Sequence, residues 1–597
     1  MILLDDASSR RESPRSRLYR EVPFRRLVAF SEDELFKSID EIEASSRDGL
    51  FWVVALSYEA GRCFNHLCHS TTRHSEPLLQ AAAFRSFEFL ERAESHSLLA
   101  SDLDVDGALA GLLNVHPSTS REHFCKVVQA ARQEIGKGTF YQLNLTFSLT
   151  GSYYGSETNL YRRLRQQQPT RFGALWLDDD FKLLSFSPEW FLANERGTLV
   201  AKPMKGTRSR TSGPPGSLSE DPKNRAENLM IVDLLRNDLG RISGVGSVEV
   251  PKLFEVERIG ALEQMTSTIT ARLSPDIGLF DVLKATYPCG SITGAPKQKA
   301  MEWIESLEPE PRGMYCGALG WIDPPSGDQG RIGNFAFSVL IRTLEVLPNR
   351  QWRLGVGAGI TIDSNPEEEW KECLAKAEFV TSLGPEVGLF ETMRMEHGVI
   401  FRWEMHRRRL AESARILGIP IDMNVVDALV GRLAESCSGQ GALRLRLSAD
   451  PNGRVDLRSE PLKALSSTAV FWAHQLLPRA RMSAQDPLLL HKVTRREAYD
   501  QAWQRAESLG GFDAIFTNDN GEVTEGGRSN IFIKKEGVWL TPPLSSGLLP
   551  GIMRAELLAS KDWNAKESVI YPADVKGAQE IVVCNSLRGA IEVKLKG

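Results

Sequence analysis

The stretch SFSPEWFLANERGTLVAKPMKGTRSR (Ser185 to Arg210), with KNRAENLMIVDLLRNDLGR after it (Lys223 to Arg241), decides how the first half of the chain folds. The first run reads as a hairpin, with apolar alternation on either side of a polar turn at Asn194 to Gly197. That hairpin sets Glu189 and Lys205 at the same end of neighbouring strands. The second run has the 3.6-residue period of a helix, with Leu229, Met230, Val232 and Leu234 following Glu227. A carboxyl, an amine and a second carboxyl converging on one cleft offer an acid, a nucleophile and a metal ligand together.

Outward from that stretch the signals are those of an ordinary α/β chain. Gly136 and Gly138 end a helix over residues 119–136 that Ser120 caps. TFYQLNLTFSL then alternates as a strand, with Tyr141, Leu143 and Leu145 on one face and Gln142 and Asn144 on the other. In YPCGSITGAPKQKAMEWIESLEP, Gly290, Gly294 and Pro296 mark a tight turn into a helix from about Ala295, and a bare helix start suits an anion. FAFSVLIRTLEV reads as one strand carrying Arg342. WRLGVGAGITIDS reads as a strand broken by glycines that let backbone approach a ligand. A helix with acids in its first turn follows, with Glu369, Glu372 and Lys376 on one face.

The pattern resets at SLGPEVGLFETMRME, where Gly and Pro suggest a domain boundary near residues 383–387. Beyond it come a helix ending at Gly418, the strand ALRLRLSAD, a loop into a helix at HKVTRREAYDQAW, a hairpin turning at Asn518 to Gly521, a turn into a helix at LLPGIMRAELL, and a closing strand pair.

At 597 residues the chain is too long for one core. Apolar residues make up 42% and charged residues 25%, so sizeable cores are available. A net charge of -5 with mixed signs excludes a basic field for nucleic acid. No apolar run has the length of a membrane span, and the opening MILLDDASSRRESPRSR, with acids before its basic residues and a short apolar run, is not expected to act as a secretory signal. Eight scattered cysteines suit a reducing compartment, and the cytoplasm is expected. Cys63, His66, Cys68, His69 and His74 cluster, but without the paired spacing of a zinc site; they read as a polar surface loop.

The first half offers carboxylates at Glu189, Glu227, Glu369 and Glu372, and two glutamates on separate helices suit a hard ion such as magnesium. In the second half, Lys492 precedes a helix, Glu525 follows a hairpin turn, Gly551 and Ile552 open a helix, and Arg409 lies on an early helix. An amine, a carboxylate, an anion cradle and an Arg are what pyridoxal phosphate needs.

FSPEWF, PMKGT, AENLMIVDLLRNDLGR, GSITGAPK, GAGI and DSNPEEEWKECLAK together resemble the chorismate-utilising enzymes, over about residues 119–383. The resemblance implies an anthranilate-synthase-like α/β fold of two facing antiparallel sheets. It implies magnesium on Glu227 and Glu372, substrate contacts from Tyr315, Arg342, Gly359, Thr293 and Lys376, and Glu189 as general acid. Isochorismate makers carry a lysine base where this chain has Gln142. Anthranilate makers carry alanine where this chain has Lys205. In the aminodeoxychorismate branch that lysine resembles a nucleophile at carbon 2, so amination at carbon 4 is expected, ahead of an anthranilate-type reaction. No G-x-C-x-G turn supplies a glutaminase cysteine, so a separate glutamine amidotransferase partner, or free ammonia, is implied.

GLFETMR, HRRRLAESA, HK, NDNGEVTEGGRSNIF, LPGIMR and NSLRG resemble the fold-type IV pyridoxal phosphate enzymes, over about residues 387–597. That family has two α/β subdomains and usually dimerises. By position Lys492 takes the cofactor, Glu525 the ring nitrogen, and Arg409, Gly551, Ile552 and Ser586 the phosphate. Thr392 matches a lyase threonine beside the reacting carbon; Val493 departs from the usual threonine. The fold type alone leaves lyase and aminotransferase open, but the neighbour's product would be a lyase's substrate. The expectation is a two-domain enzyme, residues 1–384 and 387–597, making 4-aminobenzoate. The alternatives are an anthranilate synthase fused to an aminotransferase, and a binding pair without turnover.

Overall fold

The computed structural model describes residues 1–7, 15–67, 73–101, 109–209, 217–259, 262–326, 330–478 and 480–596. Cys68 and His69 of the histidine and cysteine cluster lie outside the described residues. Cys63 is buried in the main core.

Among the described residues the first half forms two ten-stranded sheets. One sets Gln142–Tyr154, Gln351–Ile360, Thr343–Leu347 and Lys182–Ser187 side by side, all antiparallel. The other sets Met204–Ser209, Leu262–Arg272, Thr198–Lys202, Trp190–Glu195 and Phe335–Val339 in that order, also antiparallel. Leu143, Leu184 and Phe186 of the first sheet share one apolar core with Phe191, Leu199 and Ala201 of the second. This is the two-sheet α/β architecture that the motifs imply.

Two of the chain's crossovers between the sheets bear on the cleft. Ser187 ends a strand of the first sheet and Trp190 begins one of the second, so Pro188 and Glu189 lie in the step between them. The return step is Leu340 to Arg342, between Phe335–Val339 and Thr343–Leu347. The two steps are tied: Val339 N–H donates to the Glu189 carbonyl at 3.1 Å, and Phe186 N–H to the Arg342 carbonyl at 3.0 Å.

Four expectations change. The hairpin is shorter, pairing Trp190 with Lys202 and turning at Arg196–Gly197, so Glu189 and Lys205 lie just beyond its open end. FAFSVLIRTLEV is two strands in different sheets, because Arg342 takes a left-handed φ of 51° that a ladder does not accept. The glycine-rich strand is unbroken over Gln351–Ile360, with Gly355, Gly357 and Gly359 in register with Ser148, Thr146 and Asn144. Tyr141 precedes its strand and is 70% exposed, whereas Gln142 beside it is buried.

The helix Pro222–Gly240 starts where Asp221 accepts from Asn224 N–H at 2.7 Å. It buries Asn228, Ile231, Val232, Leu235 and Leu239, a stripe at helical spacing, and leaves Leu229 exposed. Ser120 caps the helix Arg121–Gly136, as expected.

The second half forms a four-stranded sheet and two five-stranded sheets among the described residues. Leu389–Glu396 lies beside Leu443–Ala449 in the first of these, and the helix Trp403–Leu417, stopped by Gly418 at φ 69°, packs Leu410 and Ala414 against them. Leu113 and Tyr154 of the first half join Val387, Leu389 and Leu410 of the second in one apolar cluster. Glu386 N–H donates to Tyr154 Oη at 3.1 Å, and Arg163 pairs with Glu386 at 3.3 Å. No described helix is long and apolar enough to cross a membrane.

Candidate active sites

Lys205, Glu189, Glu227, Tyr315, Arg342, Gly359, Glu372 and Lys376 line one cleft of about 810 Å³. Each arrives by a local device. Gly206, at φ 79°, makes a β-bulge between Lys205 and Thr207 against Leu262–Arg272, which re-aims the lysine. A Cβ on Gly359 would stand 3.6 Å from Lys205 Nζ and 2.7 Å from Gln142 Nε2, so bare backbone leaves room between the amine and the amide. Gly355 serves Tyr315 alike: a Cβ there would lie 2.1 Å from the phenol ring.

Glu189 is buried and accepts from Ser291 Oγ at 2.7 Å. Burial raises its carboxyl above the usual range, opposed by the Ser291 bond and the charges of Lys205 and Lys376. The shift favours its protonated form, relative to an exposed carboxyl. Burial alone depresses the Arg342 guanidinium, and no described carboxylate pairs with it, so it suits an incoming carboxylate. Lys376 donates to the Gly357 carbonyl at 2.8 Å and pairs with Glu372 at 2.8 Å. Thr293 is fully buried, its hydroxyl given to the Cys289 carbonyl at 2.8 Å, and it does not line the cleft. The helix Lys297–Leu307 does not open into the cleft either; its neighbours Ser291 and Ile292 do.

Glu227, Glu369 and Glu372 reach the cleft from two helices. Among the described residues no three Asp, Glu, His or Cys side chains converge as a ready-made metal cage. Such a donor set fits magnesium, which takes one or two carboxylates and keeps water and substrate oxygens.

Lys492, Thr392, Arg409, Glu525, Gly551, Ile552 and Ser586 line a second pocket of about 430 Å³. Burial, then the charges of Arg496 and Arg409, lower the Lys492 amine to about 7. Its Nζ lies 4.6 Å from the centre of the Phe390 ring. Glu525 accepts from Tyr499 Oη at 3.1 Å, Leu549 N–H at 3.2 Å and Asn530 Nδ2 at 3.2 Å, and burial raises it to about 7. Gly551 caps the helix Ile552–Ala559, and a Cβ there would lie 1.8 Å from Asn530 Oδ1. A buried amine, a buried carboxyl and an open helix start together fit pyridoxal phosphate.

Two residues without an assigned role hold this pocket. Arg409 donates to both oxygens of Glu391, at 2.8 and 2.6 Å, and to the Pro550 carbonyl at 3.2 Å. His406 bonds Glu391 at 2.7 Å through Nδ1 and Ser586 Oγ at 2.7 Å through Nε2. Glu391 is buried, yet the Arg409 charge and the His406 bond hold it down at about 2. An ionised carboxylate only accepts, so the Nδ1 proton belongs to His406 and points at Glu391. The signal was in HRRR: His406 and Arg409 are three residues apart on one helix face. Val493 packs in the cluster with Leu389 and Leu113 and bridges Leu389, which accounts for an apolar residue there.

The chain matches the chorismate binding enzyme family over residues 13–382 and the class IV amino-transferase family over residues 388–595. The chain belongs to the chorismate-binding enzyme family. It is 39% identical over 263 residues to an aminodeoxychorismate synthase component 1 of Klebsiella aerogenes, covering 43% of this chain and 56% of that protein. It is 33% identical over 341 residues to an anthranilate synthase component 1 of Lactococcus lactis subsp. lactis (strain IL1403), covering 55% of this chain and 72% of that one. Thus the chain spans little more than half the length of the Klebsiella relative. The crystal structure of anthranilate synthase component I from Streptococcus pneumoniae TIGR4 shares the fold at 24% identity and a TM-score of 0.50, covering 61% of this chain and 91% of that one.

Proposed function

We propose that the chain makes 4-aminobenzoate from chorismate with two catalytic domains, residues 1–384 and 387–597. Lys205 carries the reading: its amine stands in the same cleft as the buried acid Glu189 and the unpaired Arg342.

Arg342, Tyr315, Lys376 and the bare backbone at Gly359 hold the pyruvyl carboxylate of chorismate. Glu227 and Glu372 would hold magnesium, which neutralises the ring carboxylate when bound. Lys205 Nζ bonds to carbon 2 as both ring double bonds shift along the diene and the carbon 4 oxygen leaves. Glu189 gives its proton to that oxygen, so water departs. Ammonia then bonds to carbon 4, both double bonds shift back, and the bond from carbon 2 to Lys205 breaks. The ammonia comes from a separate glutamine amidotransferase; the name component 1 of the Klebsiella relative fits such a two-part enzyme.

In the second pocket Lys492 would anchor pyridoxal phosphate, Glu525 would face its ring nitrogen, and Arg409, Gly551, Ile552 and Ser586 would take its phosphate. The cofactor, when bound, supplies an electron sink. Lys492, half neutral near pH 7, takes the proton from the amine-bearing carbon, with Thr392 beside it, as the neighbouring C–O bond breaks and the departing enolpyruvyl group takes up a proton. Pyruvate leaves and the ring becomes aromatic. The second domain is expected to pair with a second copy of itself, and the cytoplasm is the expected compartment.

The test supplies the purified chain with chorismate, an ammonium salt and magnesium, with and without pyridoxal phosphate. The aminated intermediate should accumulate without the cofactor, and 4-aminobenzoate and pyruvate should appear with it. The Lactococcus relative favours a second reading, anthranilate formation. Chromatography separates the isomers, and 2-aminobenzoate as the product would overturn the first reading.

A further inference from the structure

The second pocket carries more positive charge than the cofactor's phosphate accounts for. Eight lysines and arginines line it against four acids. Most of these cations are engaged. Arg409 is held by Glu391, Arg444 by Glu460 at 2.6 Å, and Arg496 by Asp500 at 3.4 Å.

Arg446 is among those that are not. It makes no hydrogen bond or ion pair to a described residue, and its guanidinium lies over the Phe390 ring, 4.3 Å from the centre. Its strand position aims it inward. Arg446 and Thr392 are direct partners on neighbouring antiparallel strands, so their side chains leave the same face. Lys492 Nζ stands 4.6 Å and Arg496 5.4 Å from the same ring centre. Three cations thus crowd one aromatic ring, and desolvation and the neighbouring arginines disfavour the Arg446 charge. A ligand amine meeting Lys492 would place a carboxylate on its own ring within reach of Arg446, and the anion would relieve that crowding.

We propose that Arg446 is the specificity-determining residue of the second pocket, receiving a carboxylate of a ring-bearing substrate whose amine meets Lys492. The assignment rests on the elimination reading for the substrate's identity, but not for the carboxylate contact. A planar guanidinium pairs with a carboxylate through two parallel hydrogen bonds, which selects anionic rings over neutral ones.

The test uses the full chain loaded with pyridoxal phosphate. 4-Aminobenzoate and its neutral amide, 4-aminobenzamide, are titrated by calorimetry against the parent and Arg446→Gln. Loss of one charge-assisted contact should weaken 4-aminobenzoate at least about tenfold and leave the amide within about twofold. The cofactor absorbance should be the same in both proteins, which excludes a disordered pocket. With the carbon 4 amine intermediate, KM should rise by a similar factor while kcat holds. Equal affinity of the parent for acid and amide would overturn the assignment, as would an equal loss of both in the variant. Absence of pyruvate release by the parent, with the preference for the acid intact, would sink the elimination reading and leave Arg446 standing.

Discussion

Lys205 and Gly359 face each other across the first cleft, with 3.6 Å between the lysine Nζ and the point where a side chain on the glycine would begin. The same point lies 2.7 Å from Gln142 Nε2, so a side chain there would collide with the amide and crowd the amine.

Gly359→Ala therefore crowds Gln142 and narrows the approach to Lys205. Amination of chorismate should fall about a hundredfold, as expected for a displacement near 1 Å at a reacting centre. Lys205→Ala should abolish amination at carbon 4 outright. Both are read by chromatography of the aminated product; full activity in Lys205→Ala would show that the amine is not the nucleophile.

Glu227→Gln removes one of two carboxylates offered to magnesium. The magnesium concentration for half-maximal amination should rise roughly tenfold or more. An unchanged titration would refute the ligand role.

Lys492 is set at about 7 by burial and by the charges of Arg496 and Arg409. The amine reacts in its neutral form, so uptake of pyridoxal phosphate by the apo chain should rise with pH through a midpoint near 7. Arg496→Gln removes a positive neighbour, which favours the ammonium form and moves the midpoint upward. Stopped-flow absorbance at several pH values checks this; a downward shift would contradict the electrostatic account.

Leu113 and Tyr154 bury themselves against Val387, Leu389 and Leu410. Leu113→Ala should cost about 3 kcal/mol and lower the thermal midpoint of the full chain. A chain cut at residue 385 should aminate chorismate and accumulate the intermediate, yet aggregate sooner than the parent. If 4-aminobenzoate still formed alone, the second half would not hold the eliminating site.

Much of this was legible because close backbone approach and charge leave marks in the sequence. Gly355 and Gly359 each stand where a Cβ would collide, and such positions are visible as glycines. The long helix Pro222–Gly240 was visible from its period. The strand break at Arg342 was not, because an unbroken apolar run carries no sign of one left-handed residue. Tyr141 and Leu229 misled for a related reason: alternation and period describe an isolated element, not which neighbours cover it. Glu391 and His406 stood inside recognised motifs, but a hydrogen-bond relay that ends at Ser586, 180 positions away, exists only once the sheets are assembled.

The linked steps that carry Glu189 and Arg342 have one more consequence. The proposed acid and anchor ride on rungs where the chain changes sheets, while turns such as Arg196–Gly197 lie at the far end of their hairpins. Those distant tips are free to lengthen, shorten or acquire decoration over evolutionary time without disturbing the spacing of the chemistry. New partners and regulation would be grafted there first.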